Sequence, residues 1–303
     1  MVYKMKLADI SEIELDNDIF LPKAFTFTKM HGNGNDFILI DEINQEIIPE
    51  FQKGRFATTC CHRNFGIGGD GVLFAVGSSR ADLGMRLLQP DGSEAEMCGN
   101  GIRCIAKYAY DSGYVGQSFS VETLAGIIPI EVREMDNRFW AKLEMGAPRF
   151  DRASIPAIGS GDFLMEEIDD FQVSAVNTGV PHAIIFVDDL DLPISEIAPL
   201  IRHNPIFPEG ANVNFVKVSK IFEIRTFERG IEGETLSCGT GAVASASVAR
   251  KLELIGDETI VETRGGPLIV YFEDEKAFME GPAVTIYTGE LSEEYICCLT
   301  QEQ

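Results

Sequence analysis

The sequence predicts an α+β protein made of two pseudo-symmetric domains, each a mainly antiparallel sheet wrapped round one central helix. Three observations predict this class. Short β-rich runs alternate with glycine-rich turns, few long helical patterns interrupt them, and the two clearest of those begin with the same Cys-Gly-x-Gly motif, 140 residues apart. A chain of 303 residues is long enough for two domains with buried cores.

The strands are indicated by apolar, β-branched runs bounded by turn residues. The clearest runs are FILI (37–40), VLFAV (72–76), AIIFV (183–187) and LIVYF (268–272). A second internal match supports the repeat, because GNDFILID (34–41) and GVPHAIIFVD (179–188) each place a glycine and a polar residue before an apolar strand. The chain therefore resembles two divergent copies of one design.

The two helices are predicted to begin just after Cys98 and just after Cys238. Each is expected to end at a glycine in a left-handed cap, Gly113 in the first helix and Gly256 in the second. The second helix is small and apolar nearly all round, a pattern typical of a helix enclosed by other structure. Each helix is thus expected to fill the centre of its own half.

The predicted domain organisation has three parts. Residues 1–24 form an N-terminal extension, residues 25–143 form the first half, and residues 144–283 form the second half. Residues 284–303 are expected to return to the first half as a C-terminal strand. The active site is expected in the cleft between the two halves.

Composition and charge exclude several classes of function. The chain carries 48 acidic and 25 basic residues, a net charge of −23, which would repel nucleic acids and anionic membranes. No apolar run is long enough to span a bilayer, and the start lacks the apolar block of a signal peptide. Seven sparse cysteines favour free thiols in a cytoplasmic protein.

Two weaker motifs predict no cofactor or metal. GIGGDG (66–71) matches the dinucleotide fingerprint in form, but an apolar strand follows it where that fingerprint requires a helix. Cys60, Cys61 and His62 are adjacent, whereas zinc ligands are spaced in pairs. We therefore expect the glycines and the aspartate of GIGGDG to shape a cleft, and we expect no metal site.

The two cysteines that precede the helices are the strongest chemical signal. A thiol at a helix N-terminus faces unpaired N–H groups and the positive end of the helix dipole, and both favour the thiolate over the thiol. We therefore expect the pKa values of Cys98 and Cys238 to lie below about 8.5, the value of a free cysteine. Pseudo-twofold symmetry would bring both thiols to one cleft. Such a pair suits inversion of a carbon, in which one thiolate removes a proton and the other thiol supplies one to the opposite face.

Five segments resemble the diaminopimelate epimerase family, in the order in which the family has them. They are KMHGNGNDF (29–37), DGSEAEMCGNGIRC (91–104), GVPH (179–182), NVNF (212–215) and FERGIEGETLSCGTGA (227–242). The resemblance implies a cofactor-free isomerase that interconverts LL- and meso-diaminopimelate in lysine and cell-wall biosynthesis. It also implies a small-molecule amino-acid substrate, no metal and, by family precedent, a homodimer.

The resemblance carries roles onto matching positions. By position, Cys98 and Cys238 match the catalytic pair, and His182 matches a histidine near the thiols that helps to set their protonation. The expected substrate-binding residues are Asn35, Gln89, Gly99, Asn100, Asn212, Glu228, Arg229, Gly239 and Thr240. Among them the four helix-start residues would hold the carboxylate at the reacting carbon, and the arginine would grip the distal carboxylate.

Two departures from the family pattern leave the substrate open. Gln89 and Val180 stand where the family often has Asn, at positions that align with recognition of the non-reacting end of the substrate. One alternative is therefore a racemase of another amino acid, for example a basic one, with the same mechanism. Two alternatives come from other classes, a thiol redox protein and an amino-acid binding module without turnover. The lack of a Cys-x-x-Cys motif argues against dedicated redox chemistry.

Overall fold

The computed structural model describes residues 25–300, with side chains described as far as Ile296. The extension expected over residues 1–24 lies outside the described residues. Within the described range, eighteen strands are joined by hydrogen bonds into one continuous sheet, and few helices pack on it. The predicted α+β class, a mainly antiparallel sheet with central helices, is confirmed.

The first half of the sheet comes from the N-terminal part of the chain. Its strands and helices are β1 (Thr26–Gly32), β2 (Asn35–Glu42), α1 (Lys53–Cys61), β3 (Gly71–Val76), β4 (Leu83–Leu88), β5 (Glu94–Ala95), α2 (Gly99–Asp111), β6 (Ser118–Thr123), β7 (Gly126–Met135) and β8 (Arg138–Gly146), with a short 3-10 helix at Glu50–Gln52. Two predicted strands, residues 37–40 and 72–76, lie inside β2 and β3 and are confirmed.

The second half repeats this order. Its elements are β9 (Glu166–Ile168), β10 (Phe171–Asn177), β11 (Pro181–Phe186), α3 (Ile194–Arg202), β12 (Asn212–Val218), β13 (Phe222–Glu228), β14 (Gly233–Thr235), α4 (Gly239–Lys251), β15 (Glu258–Thr263), β16 (Gly266–Glu273) and β17 (Lys276–Pro282). The predicted runs 183–187 and 268–272 coincide with β11, to within one residue, and with β16.

Strand pairing shows the repeat directly. In the first half β2 pairs with β3 and β4 pairs with β6 in parallel, and in the second half β11 pairs with β12 and β13 pairs with β15 in parallel. The other pairings are antiparallel. The two halves meet where β8 pairs with β17, also antiparallel, so β8 and β17 form the seam of the sheet.

The C-terminal segment crosses back to the first half. β18 (Val284–Glu290) pairs antiparallel with β1 along its whole length. Of the strand expected over residues 284–303, residues 284–290 form β18, but the expectation is wrong for residues 293–300, which form a helix, α5 (Glu293–Thr300); residues 301–303 lie outside the described residues. Leu291, which precedes this helix, and Ile296, which lies within it, are buried in the same apolar cluster as residues of α1. The domain boundaries themselves stay a prediction.

Both central helices pack into one shared core. Buried residues of α2, such as Ile102 and Ile105, belong to the same apolar cluster as Ala242 and Val243 of α4. Two smaller clusters lie on the outer faces, one beneath α1 and one beneath α3. The sheet therefore wraps round α2 and α4 together and places the starts of both helices near the centre of the molecule.

The helix ends agree with the prediction in one half only. Gly113 has a φ of 75° and caps α2, and the amide of Tyr114 donates to the carbonyl of Ala109. In α4 the left-handed residue is Glu253, with a φ of 59°, so the cap predicted at Gly256 is wrong. α4 already ends at Lys251, and the hydrogen bonds at its end have the same pattern as those at the end of α2. Glu253 adopts the left-handed conformation at a modest steric cost.

Among residues 25–300, no helix combines the length and the apolar character needed to cross a membrane.

Candidate active site

Cys98 and Cys238 occupy equivalent places at the two helix starts. Each is the residue immediately before its helix and has extended backbone angles, φ −143° and ψ 119° for Cys98 and φ −120° and ψ 110° for Cys238. Because the first amides of a helix have no partner within the helix, each sulfur lies beside N–H groups that are free to bind an anion. Cys98 is half-buried and Cys238 is buried.

Asn100 joins the two helix starts. Its side-chain amide nitrogen donates to Asn35 Oδ1 at 3.2 Å in the first half and to the carbonyl of Ser237, the residue before Cys238, at 3.2 Å in the second half. The sulfur of Cys98 lies 3.7 Å from the same Asn35 oxygen. The structure therefore brings both cysteines to one place between the halves.

The glycines after the two cysteines are required by the closeness of this approach. A Cβ atom at Gly99 would lie 3.1 Å from the terminal methyl of Met279, and one at Gly239 would lie 3.0 Å from the sulfur of the same methionine. Met279, on β17, thus packs against both helix starts. Larger residues at these positions would separate the halves or displace the methionine.

In the first half, Asp70 fixes the orientation of Asn35. Asp70 Oδ2 accepts from Asn35 Nδ2 at 2.7 Å and from the amide of Asp36 at 3.0 Å, and Asp70 Oδ1 accepts from Arg63 at 2.7 Å. A carboxylate can only accept, so the Asn35 amide turns its nitrogen to Asp70 and its oxygen to Cys98. Asp70 belongs to GIGGDG, whose aspartate was expected to shape the cleft.

In the second half, His182 takes the place beside the helix start that Asn35 takes in the first. His182 is fully buried, and its Nε2 lies 3.0 Å from Thr240 Oγ1, which in turn lies 3.4 Å from the sulfur of Cys238. Burial lowers the pKa of His182 to about 3, and the nearby Arg229 guanidinium acts in the same direction. The imidazole is therefore neutral at physiological pH.

Asn212 and Arg229 lie beside His182 in the second half. The backbone amide of Arg229 donates to Asn212 Oδ1 at 2.7 Å, and the guanidinium donates to the carbonyl of Glu209 at 3.2 Å. Among the described residues no carboxylate forms an ion pair with Arg229. Its remaining donors are available to a ligand carboxylate.

Glu228 lies against Cys238. Its carboxyl group accepts from Thr235 Oγ1 and hydrogen bonds to the Cys238 thiol. Burial raises the pKa of Glu228, and these two hydrogen bonds oppose the rise. The carboxyl group is therefore harder to ionise than an exposed glutamate, and it lies beside one of the two candidate thiols.

The expected lowering of the thiol pKa values is wrong. Burial raises the pKa of Cys98, although the amides of Gly101 and Asn100 oppose the rise, and burial together with Glu228 raises the pKa of Cys238 well above its ordinary value. The helix-start amides act as predicted, but the loss of water around the sulfur costs the thiolate more than they contribute. A thiolate formed here is consequently a strong base.

Arg103 is a buried residue that sequence reasoning missed. The guanidinium of Arg103 is fully buried and donates to four neutral oxygens, those of Gly99, Asn100, Asn33 and Pro282, at 2.8–3.2 Å. Burial lowers its pKa to about 10. It ties the start of α2 to the β1–β2 turn and to the end of β17, and an arginine within an otherwise apolar helix face was the available signal.

Gln89 is the predicted site residue that the structure does not join to the others. It follows β4 in a turn that its backbone amide closes by donating to the carbonyl of Ser93 at 2.8 Å. Its side chain is exposed and makes no hydrogen bond to residues 25–296, whose side chains are described. Val180 is half-buried in the turn before β11, where its carbonyl accepts from the amide of Thr178 at 3.3 Å.

Solved structures with the same architecture are known. A phenazine biosynthesis protein of the PhzF family from Bacillus anthracis has a TM-score of 0.67 at 22% identity, covering 89% of this chain and 99% of its own. A hydroxyproline epimerase from Agrobacterium vitis, solved with bound trans-4-hydroxy-L-proline, has a TM-score of 0.61 at 17% identity, covering 89% and 93%. At these identities the likeness concerns the fold alone.

Several proteins are much more similar to this chain in sequence than these structures are. A diaminopimelate epimerase from Methanothrix thermoacetophila is 66% identical over 270 residues, which cover 89% of this chain and 97% of the relative. Those from Methanocella arvoryzae and Archaeoglobus fulgidus are 52% and 50% identical, covering 89% and 87% of this chain and 97% and 95% of theirs. Residues 27–150 and 174–286 match the family described as diaminopimelate epimerase. The chain therefore belongs to the diaminopimelate epimerase family.

Proposed function

We propose that this chain is an isomerase that inverts one α-carbon of LL-diaminopimelate to give meso-diaminopimelate, with Cys98 and Cys238 as the proton-transfer groups. The observation that carries the proposal is the matched position of the two thiols, each before a central helix. Asn100 joins the two places, because its side chain bonds to Asn35, beside Cys98, and to the carbonyl of Ser237, before Cys238. Family membership supports the substrate and the reaction.

The reaction needs one thiolate and one thiol. The thiolate on one side takes the α-proton as the C–H bond breaks, and the electron pair spreads onto the α-carboxylate. The thiol on the other side then gives its proton to the opposite face of the same carbon, so the two sulfurs exchange protonation states in each turnover. The product has the inverted configuration at this carbon and the same chemical formula as the substrate.

The carbanion is the high-energy species, and the helix starts stabilise it. The amides at Gly99, Asn100, Gly239 and Thr240, which have no partner within their helices, would donate to the α-carboxylate, where negative charge grows as the proton leaves. Each well-placed donor in a dry site contributes about 3 kcal/mol to such a transition state. The same burial that raises the thiol pKa values makes the thiolate basic enough to remove a weakly acidic proton.

The free donors of Arg229 favour diaminopimelate over a basic amino acid. The reacting end of the substrate would occupy the helix starts, so Arg229 would bind a second carboxylate farther along the substrate. Lysine and ornithine have an ammonium group at that end, which the guanidinium would repel. A panel of amino acids, scored by loss of optical rotation, tests this choice. Racemisation of lysine at a rate similar to that of diaminopimelate would contradict it.

Deuterium exchange with cysteine variants tests the mechanism. In D2O the wild-type protein should incorporate deuterium at the α-carbon, and Cys98→Ala and Cys238→Ala should each lower net inversion by at least about 10³-fold, because one face loses its proton carrier. Cys104→Ala is the matched control, since Cys104 is fully buried in the apolar core round α2. Inversion by either site variant at the wild-type rate would refute the assignment.

The proposal also includes the cellular location and the oligomeric state of the protein. We expect a cytoplasmic enzyme with a small-molecule substrate, and a homodimer by family precedent. Cell fractionation and light scattering of the purified protein would test these two expectations.

A further inference from the structure

A continuous chain of side-chain hydrogen bonds runs from the interior of the second half to Cys238. Thr226 Oγ1 donates to Asn214 Oδ1 at 2.9 Å, and Asn214 Nδ2 lies 3.0 Å from His182 Nδ1. His182 Nε2 then lies 3.0 Å from Thr240 Oγ1, which is 3.4 Å from Cys238 Sγ. Thr226, Asn214 and His182 are all at least 97% buried, so water cannot substitute for these contacts.

The orientation of the Asn214 amide is fixed by its other neighbours. Asn214 Nδ2 also lies 3.3 Å from the carbonyl of Ala183, an atom that can only accept a hydrogen bond. The nitrogen of the amide must therefore face Ala183 and His182, and its oxygen must face Thr226. This arrangement makes His182 Nδ1 an acceptor.

The tautomer of His182 follows from this orientation. Burial and Arg229 keep the ring neutral, so it carries a single N–H. Because Nδ1 accepts from Asn214, the proton resides on Nε2, which donates to Thr240 Oγ1. The amide nitrogen of Asn212 also faces the ring, at 3.4 Å from Nε2, but a neutral ring can accept at one nitrogen only. The contact of Asn214 with Nδ1 is the shorter of the two, at 3.0 Å, and the tautomer is assigned from it.

Thr240 completes the chain. Its hydroxyl oxygen accepts from His182, so its own proton is directed toward the sulfur of Cys238. We propose that Asn214 is a positioning residue, which holds His182 as the Nε2–H tautomer and thereby makes Thr240 a hydrogen-bond donor to the Cys238 thiolate. A donor to a sulfur stabilises the thiolate relative to the thiol, and Thr240 opposes the effect of burial on Cys238 in this sense.

The role of Asn214 deepens the proposed function, because it concerns the ionisation of one of the two proposed proton carriers. The opposite tautomer would have the opposite effect. With the proton on Nδ1, Nε2 would accept from Thr240, and the hydroxyl oxygen would present a lone pair to Cys238. The change would favour the thiol and slow every step that needs the thiolate at this position.

The decisive measurement is the tautomer of His182 in the full-length protein. Nitrogen-15 NMR of histidine-labelled protein distinguishes a protonated from a bare ring nitrogen, and a His182→Gln sample assigns the signal among the four histidines. The expected result is a protonated Nε2 and a bare Nδ1. A protonated Nδ1 in the wild-type protein overturns the proposal, whether or not any variant folds.

Asn214→Leu keeps the approximate size of the side chain and removes both polar atoms. In this variant the single Nε2–H signal should be lost, and alkylation of Cys238 by iodoacetamide at fixed pH should slow about 10-fold, the effect of one hydrogen bond to a charged group. Cys98, followed in the same digest, should not slow, and net inversion should fall by a similar factor.

Ser247→Ala is the matched control for this variant. Ser247 is buried in α4 and donates only to the carbonyl of Val243, so its loss should change neither the tautomer nor the alkylation rate. An Asn214→Leu protein with the wild-type tautomer and wild-type rates would overturn the proposal. A wild-type protein with the expected tautomer but no action on diaminopimelate would instead contradict the proposed function.

Discussion

The candidate site depends on how each ionisable residue is solvated. The sequence predicts the identity of the two thiols, because a cysteine before a glycine-rich helix start is visible as a motif. It does not predict the direction of their pKa shifts, because burial depends on how the two halves pack round α2 and α4. Asn214 was missed for a related reason, since its partners Thr226 and His182 lie on neighbouring strands.

The low pKa of His182 predicts how the stability of the fold changes in acid. The unfolded chain binds a proton at this histidine below pH 6.5, whereas the folded protein binds it only near pH 3. The stability contributed by the neutral ring is therefore complete above pH 6.5 and is lost progressively as the pH falls from 6.5 to 3, by about 5 kcal/mol in total. Urea unfolding at several pH values should show a shallower pH dependence for His182→Gln than for the wild type. Equal slopes would contradict the prediction.

The central helices show what local sequence can and cannot specify. Both helix starts were predicted from Cys-Gly-x-Gly, and the cap at Gly113 was predicted from a glycine at the right place. The second cap was predicted wrongly, because Glu253 adopts the left-handed conformation three residues before the available glycine. A glycine marks a possible helix end, but packing of the last turn decides which residue takes that place.

The third residue is a glycine in both helices, Gly101 in α2 and Gly241 in α4, but the space round the two glycines differs. A second prediction follows from this difference. A Cβ atom at Gly241 would lie 2.5 Å from Asn214 Oδ1, whereas one at Gly101 would lie 3.1 Å from the end of the flexible Leu73 side chain. Gly241→Ala should therefore displace Asn214 and lower net inversion by about 10-fold or more. Gly101→Ala, its structural equivalent, should lower it much less. Equal losses measured in a steady-state assay would show that Asn214 is not the sensitive contact.

At the scale of the whole molecule, the repeat predicted the two halves and their central helices, but not the way in which they are joined. The seam between β8 and β17, the return of β18 to β1 and the shared core of α2 and α4 are long-range pairings without a local signature. They nevertheless determine the site, because the two helix starts meet only if the halves are held in register. Stability of the seam and activity should therefore be linked.

Glu280 provides the test of this link. Its carboxylate, only 2% exposed on β17, accepts from Arg133 Nη2 of β7 at 2.7 Å and from the hydroxyl of Tyr271 on β16. Glu280→Gln should lower the free energy of unfolding by about 2 kcal/mol, because a buried charged acceptor is lost while Arg133 stays in place. Glu273→Gln is the matched control, since Glu273 forms an exposed ion pair with Lys142 across the same seam and should cost less than about 1 kcal/mol.

Trp140 allows the seam to be observed during the same urea titration. It is the single tryptophan of the chain, lies on β8 opposite Pro282 of β17, and is 6% exposed. Because both halves share one core, Trp140 fluorescence and far-UV circular dichroism should change together in the wild type and in Glu280→Gln, with net inversion lost over the same range. A fluorescence change that precedes the loss of secondary structure would mean that the seam opens before the halves unfold. In that case the site would depend on a separate docking step between two independently stable domains.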